Sequence, residues 1–427
     1  MSCEITGSEQ CISNIRINQL FTNILVFLFL IFSFFPFLRI LPLDLDAQPN
    51  ALMTGSLICI FMGNRYMKKD YILLLSILII ATLLLLLDKV NGVALRVYTN
   101  YVSLFVISYA TYISLRRLGG LPYGLFRITV IIWLAVGMVQ LYINPNFLSF
   151  LTLRGAEGTL GFGRGVSSLA AEPTFYGMVV IILMMINYIN FNKERHFRQL
   201  NFFLLIQLIW LSRSTTCILF LIIALVLFVI ISILKKRNGF KIICTTVLVG
   251  IIAVMIAKYL VENTDSRLSG VLKVMFDNPE AFLVMDYSVN HRFNHAFFPI
   301  MGFFDSFGIP HGLGHFNDYL SSLNSDPAYS GLLTSNYYEQ YKITTSLAGA
   351  LFELGVFALP LFYIILTSLK AIKRFRINVV LVGCGLFSIM INAMNFNQAI
   401  LPFFIGNLIY LKYNDPHGFS NNTCIQC

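Results

Sequence analysis

What most limits the fold of this chain is a succession of apolar stretches, most of them long enough to cross the roughly 30 Å hydrocarbon core of a bilayer. They fall near residues 20–38, 48–64, 71–87, 97–115, 126–143, 173–191, 199–212, 216–234, 242–260, 347–369, 377–394 and 397–412. Backbone groups in hydrocarbon must be hydrogen-bonded within their own segment, so each stretch predicts a helix. Charged residues make up 12% of the chain, against about 25% in a soluble domain. The expectation is therefore an all-α polytopic membrane protein of about twelve transmembrane helices, a single integral domain over residues 1–427. The stretch at 199–212 is the shortest and carries Gln207 within it.

The net charge is +10, which would suit nucleic acid if the cations lined an aromatic-interleaved groove. Instead they sit in short clusters between apolar stretches: Arg65, Lys68 and Lys69; Arg116, Arg117 and Arg127; Lys193, Arg195 and Arg198; Lys235, Lys236, Arg237 and Lys241; Lys370, Lys373, Arg374 and Arg376. Each cluster follows an even-numbered span. That is the positive-inside pattern, and it places these loops and both termini in the cytoplasm. No nucleic-acid partner is expected. Residues 1–19 hold two Glu and one Arg ahead of the first span, which is not the pattern of a cleavable secretory signal. Cysteines are confined to the tails and to apolar stretches or their ends, so no disulfide framework is expected.

On this topology the segments 144–171 and 261–346, and the tight turn Ser212–Thr215, emerge together on the outer face. Arg154, Arg164, Arg213, Arg267 and Arg292 lie there too, against the positive-inside tendency. Arginines placed against that tendency need another reason to exist.

Arg164 lies between glycines that let a ligand approach the backbone closely. Glu172 precedes Pro173, which suits the first turn of the next helix, so its carboxylate either caps that helix or serves a site. Arg213 sits in a hydroxyl-rich turn, where its planar five-donor fork suits a phosphate better than a headgroup-directed snorkel. His291, Arg292 and His295 share one helical face, within a stretch, 290–307, that reads as an amphipathic helix along the membrane surface. His311 and His315 repeat the spacing around Pro310, Gly312 and Gly314, which predicts a loop. Four histidines invite a zinc reading, but the H-E-x-x-H pattern is missing, and no metal or other cofactor is expected. Tyr337 belongs to a dense set of aromatics suited to packing or to stacking on sugar rings. Glu353 lies inside the tenth span, where a carboxylate needs a partner or a role; an arginine is the economical partner.

In order along the chain, these marks resemble the bacterial O-antigen polymerase (Wzy) family, within the O-antigen polymerase and ligase superfamily. Arg164 followed by Glu172-Pro173-Thr174 resembles its Arg-then-Glu-Pro-Ser stretch, and Leu211-Ser212-Arg213-Ser214 its apolar-Ser-Arg-Ser turn. Arg292 followed by Gly308 and Gly312-Leu313-Gly314 resembles its outward loop, and Phe352-Glu353-Leu354-Gly355 the Glu-x-Gly that opens the following span. Ligases carry a His-Asn pair shortly before that Glu. Here the place is Lys342-Ile343-Thr344-Thr345-Ser346, without histidine, which favours polymerase over ligase.

The resemblance implies a GT-C-like glycosyltransferase of the bacterial inner membrane with a periplasmic active site in the 261–346 loop. It would move a growing glycan from undecaprenyl diphosphate to a sugar hydroxyl of another lipid-linked repeat unit. Arg164, Arg213 and Arg292, with Arg154 in reserve, would bind the diphosphate, and His291 or Glu172 would act as base. His295, His311, His315, Tyr337 and Glu353 would contact substrate. The partners implied are undecaprenyl-diphosphate-linked oligosaccharides, membrane lipids and a chain-length regulator. The alternatives are an O-antigen ligase and a flippase for the same lipid-linked sugar.

Overall fold

The structure is a computed structural model. It describes residues 4–414 apart from 42, 44, 64–66, 89, 154–164, most of 235–266, 279–281, 286, 334–341, 373–377 and 393. The described residues contain helices and no strands. In chain order the helices longer than one turn are α1 (Glu4–Phe34), α2 (Asn50–Met62), α3 (Lys69–Leu87), α4 (Gly92–Leu118), α5 (Tyr123–Tyr142), α6 (Pro173–Asn190), α7 (Phe197–Ile206) and α8 (Thr215–Leu234). There follow α9 (Arg267–Asp277), α10 (Tyr287–Asp305), α11 (Phe316–Asn324), α12 (Ser346–Leu354), α13 (Leu359–Ile372), α14 (Val379–Asn392) and α15 (Ile400–Tyr413). Every predicted apolar stretch carries a helix except 242–260, which lies almost wholly outside the described residues.

Among the described residues, four segments are long and apolar enough to cross a membrane: α3, α5, α6 and the α12–α13 run. They differ in how much of themselves they hide. The apolar window of α6 is 72% buried and that of α3 only 33%, so α6 is an interior helix and α3 a peripheral one. Leu83, Leu86 and Leu87 on α3, Ile60 and Phe61 on α2, and Leu366 on α13 are exposed. Large apolar side chains left outside a helical bundle are consistent with a lipid-facing surface. The interior is built by α4, which packs on α2, α3 and α15, and by α6; almost every side chain of α15 is buried.

A charged clasp closes one end of this bundle. Lys412 Nζ, near the end of α15, lies 2.9 and 2.7 Å from the two carboxylate oxygens of Asp70 on α3, and donates to Thr367 Oγ1 of α13 at 2.8 Å. Asp70 is fully buried. A buried pair of this kind is a weak source of net stability, but removal of one partner strands the other charge.

Two helices depart from the simple spans. α7 widens into a π turn over Gln207–Leu211, and the Gln207 that interrupts its apolar pattern is buried with work to do. Its Oε1 accepts from Tyr176 Oη at 3.1 Å and its Nε2 donates to the Val130 carbonyl at 3.3 Å. The predicted span 347–369 is not one helix. α12 stops at Leu354, a short 3-10 turn covers Gly355–Ala358, and α13 follows. The amide freed at Val356 finds the Gly308 carbonyl at 2.9 Å, so the loop before the span repairs the break within it.

Candidate functional site

The segment around Glu172 and the turn around Arg213 are folded onto each other. Val166 N–H donates to the Leu211 carbonyl at 2.9 Å. A Cβ at residue 165 would stand 2.2 Å from the carbonyl oxygens of Leu211 and Ser212, so only glycine fits there. The segment is fixed from behind: Ser168 N–H donates to Gln140 Oε1 at 2.7 Å, and Ser168 Oγ to the Trp133 carbonyl at 2.9 Å. Farther on, Ser214 Oγ donates to Thr174 Oγ1 at 3.2 Å, and Cys217 Sγ to the Thr174 carbonyl at 3.4 Å. Glu172, at the N-cap of α6, makes no side-chain capping hydrogen bond. It stands at the positive end of a helix, two residues before the Thr174 that meets the 213–217 turn.

Arg213 takes a left-handed backbone conformation, φ 41°, which a bulky residue adopts only at a cost. Its side chain is exposed. The Nε–H donates to the Trp210 carbonyl at 3.2 Å and the guanidinium lies 5.5 Å from the centre of that indole ring. The charge of Arg292, from α10, acts on Cys217 in the first turn of α8. The neighbourhoods of Glu172, Arg213 and Arg292 are thus adjacent. Arg154, Arg164 and Tyr337 lie outside the described residues, although Gly165 next to Arg164 touches Ser212 next to Arg213.

Helix α10 spans Tyr287–Asp305, close to the predicted 290–307. His291 and Arg292 on it are partly buried, and His295 is fully buried. Pro299 has no N–H to offer the carbonyl four residues back. That carbonyl, of His295, accepts instead from Thr345 Oγ1 at 2.9 Å, while His295 Nδ1 accepts from Thr344 N–H at 3.0 Å. His295 therefore anchors α10 to the segment ahead of α12. His311 donates from Nε2 to the Gly302 carbonyl at 2.9 Å, and its ring stacks on Phe352 at 4.2 Å. His315 bridges Asp88, at the end of α3, and Asp318, the latter at 3.0 Å. These three histidines tie loop to helix, and each has at least one ring nitrogen engaged with protein.

Burial and the neighbouring Arg292 charge depress His291 to about 4. It is neutral at pH 7, able to accept a hydroxyl proton but weak for a base. Because its folded value lies below the unfolded value near 6.5, the unfolded chain takes the proton first as the pH falls. Stability linked to His291 is whole above about 6.5 and is lost between there and about 4, by an amount of the order of 3 kcal/mol. His315 moves the other way, raised by its bond to Asp88. Its contribution is full below the unfolded value and fades as pH rises through the raised one, so between pH 7.5 and pH 5 it opposes the His291 loss, equally in the wild type and in a His291 variant. Melting in detergent at pH 7.5 and pH 5 checks this: the wild type loses more than His291→Gln does, and equal losses would remove His291 as the cause.

Glu353 has the Tyr101 hydroxyl as a partner, where an arginine was the economical expectation. Its surroundings are held by backbone bonds from the glycine-rich loop, His311 N–H to the Phe352 carbonyl at 3.1 Å and Gly312 N–H to the Glu353 carbonyl at 3.3 Å. Beside the pair is a small cavity lined by Asn100, Tyr101, Thr345, Ser346, Glu353 and Asn395, among others. Asn100 and Tyr101 did not stand out in the sequence. The signal was present as two polar side chains within an apolar span.

The four motif segments thus form two contact sets: the Glu172 segment with the Arg213 turn, and the 308–312 loop with Phe352–Gly355. Helix α10 packs on α12, and the charge of its Arg292 acts on Cys217 beside the first set. A scan of the chain against protein-family models finds no match, and a search of curated proteins finds none.

Proposed function

We propose that this chain is a polysaccharide polymerase of the Wzy type, a twelve-span protein of the bacterial inner membrane with both termini in the cytoplasm and its site facing the periplasm. It takes a growing glycan from undecaprenyl diphosphate and joins it to a sugar hydroxyl of a second lipid-linked repeat unit. The observation that carries the reading is the adjacency of Glu172, the Arg213 turn and Arg292, three chemistry-bearing segments far apart in sequence. Glycosyl transfer from a lipid diphosphate asks little covalent chemistry of a protein. The leaving diphosphate needs its growing charge offset, and fixed guanidinium groups out of bulk water do this well. Partly buried Arg292 meets that description best, exposed Arg213 is the second described candidate, and Arg164 and Arg154 are the others. The acceptor hydroxyl needs orientation and a proton acceptor, for which neutral His291 and the Glu172 carboxylate are the candidates.

One observation favours a second reading, transport of the lipid-linked sugar: a broken helix beside a buried polar cavity is a transporter feature. Purified chain in detergent, given lipid-linked repeat units, separates the two, since detergent offers no second compartment. Under the polymerase reading the glycan lengthens on its lipid carrier; a preparation that stays folded and leaves single repeat units unchanged would overturn it.

A further inference from the structure

The cavity beside Glu353 has free space of about 10 Å3, the room of one water-sized body. Its polar lining has an unusual hydrogen-bond balance. Tyr101 spends its hydroxyl proton on Glu353. Thr345 spends its proton on the His295 carbonyl at 2.9 Å and Ser346 on the Met390 carbonyl at 3.2 Å. In the amide orientation that satisfies both of its ends, Asn395 donates to the Ile343 and Thr344 carbonyls, at 3.1 and 2.9 Å. Asn100 is 7% exposed and its amide oxygen has no hydrogen-bond partner among the described residues. The lining presents to the cavity a majority of acceptor oxygen, the lone pairs of three hydroxyls, two amides and one carboxylate, against the amide N–H groups of Asn100.

A water in this space would donate two hydrogen bonds and leave the other acceptors unanswered. A bare hard cation satisfies them all, because hard cations prefer neutral and anionic oxygen. The charge fits a monovalent ion: one carboxylate is present, and the N-terminal dipole of α12, which begins at Ser346, opposes further positive charge. Calcium wants more oxygens and more negative charge, and magnesium keeps waters for which there is no room. The site lies against a helix interrupted at Gly355, and broken helix ends are a recurrent setting for sodium.

We propose that Glu353, Asn100 and the hydroxyls around them form a binding site for one small dehydrated monovalent cation, with sodium as its probe. The cation ties α4, α12 and the Asn395 turn together, and the proposal does not depend on glycosyl transfer.

The test uses the full purified chain in detergent, melted in chloride salts of sodium, potassium or N-methyl-D-glucamine at equal ionic strength. Sodium raises the melting temperature by about 3 °C or more at saturation, potassium by less, and sodium-23 line broadening reports one saturable site per chain. Glu353→Gln and Asn100→Ala lose the sodium response, while Asp70→Asn, remote from the cavity, keeps it. If Glu353→Gln does not fold, Asn100→Ala carries the comparison. Equal melting in all three salts, or a sodium response undiminished in the foldable cavity variant, overturns the site and leaves a structural water only.

Discussion

Replacement of Gly355 by alanine is expected to cost about 3 kcal/mol or more of stability, far beyond an ordinary glycine substitution. Gly355 has φ 59° and ψ −136°, a conformation that side chains with a Cβ rarely adopt. A Cβ there would stand 2.2 Å from the Gly308 carbonyl oxygen and 2.8 Å from Pro310 N. Neither is the yielding end of a side chain, so the loop itself must move. Moving it breaks the Val356-to-Gly308, His311-to-Phe352 and Gly312-to-Glu353 backbone bonds together. Buried backbone groups left unpaired cost more than the bonds are worth when made. Gly331→Ala is the control: φ is −68° at that position and nothing lies within reach of a new Cβ, so its melting temperature should be unchanged. Gly355→Ala that melts with the wild type would mean the loop is not held there.

The helical character of this chain was legible in its sequence because hydrocarbon-length apolar runs permit little else. The motif marks were legible as residue types in order, and less so as geometry. Nothing in residues 308–312 says that their carbonyls and amides will repair a break in the helix that starts near residue 346; the cue was Gly355, readable as a glycine but not as a left-handed one. His295, His311 and His315 stand out in the sequence as candidate substrate contacts, while their protein partners do not show there. Sequence does not reveal that Pro299 leaves the His295 carbonyl in want of a donor, or that Phe352 and Asp88 lie where the other two rings point. Gln207 looked like a flaw in a short span, and the π turn that makes room for its bonds to Tyr176 and Val130 has no simple sequence mark. Tyr101 was lost among apolar neighbours for the opposite reason: a tyrosine in a membrane stretch is ordinary until a carboxylate meets it.

If the chain transfers glycan from a lipid diphosphate, Arg292→Ala should reduce the rate by about 100- to 1000-fold, the scale for losing one preorganised charge partner of a transition state. Arg213→Ala should cost about tenfold, because that guanidinium is exposed over Trp210 and a solvated charge is screened, whereas Arg292 is partly buried. The loss should fall on kcat with KM little changed, since the leaving diphosphate gains charge as the bond breaks. Arg292→Lys keeps the charge and loses the two-pronged fork, so it should recover part of the rate. A second readout separates this role from a structural one. The Arg292 charge is one of the two causes that hold His291 down; without it the imidazole becomes a stronger base, and its titration, followed by NMR, should move upward. With Arg292→Lys the titration should stay near its original place. Polymer of normal length made at the normal rate by Arg292→Ala would remove this arginine from the chemistry, whatever became of His291.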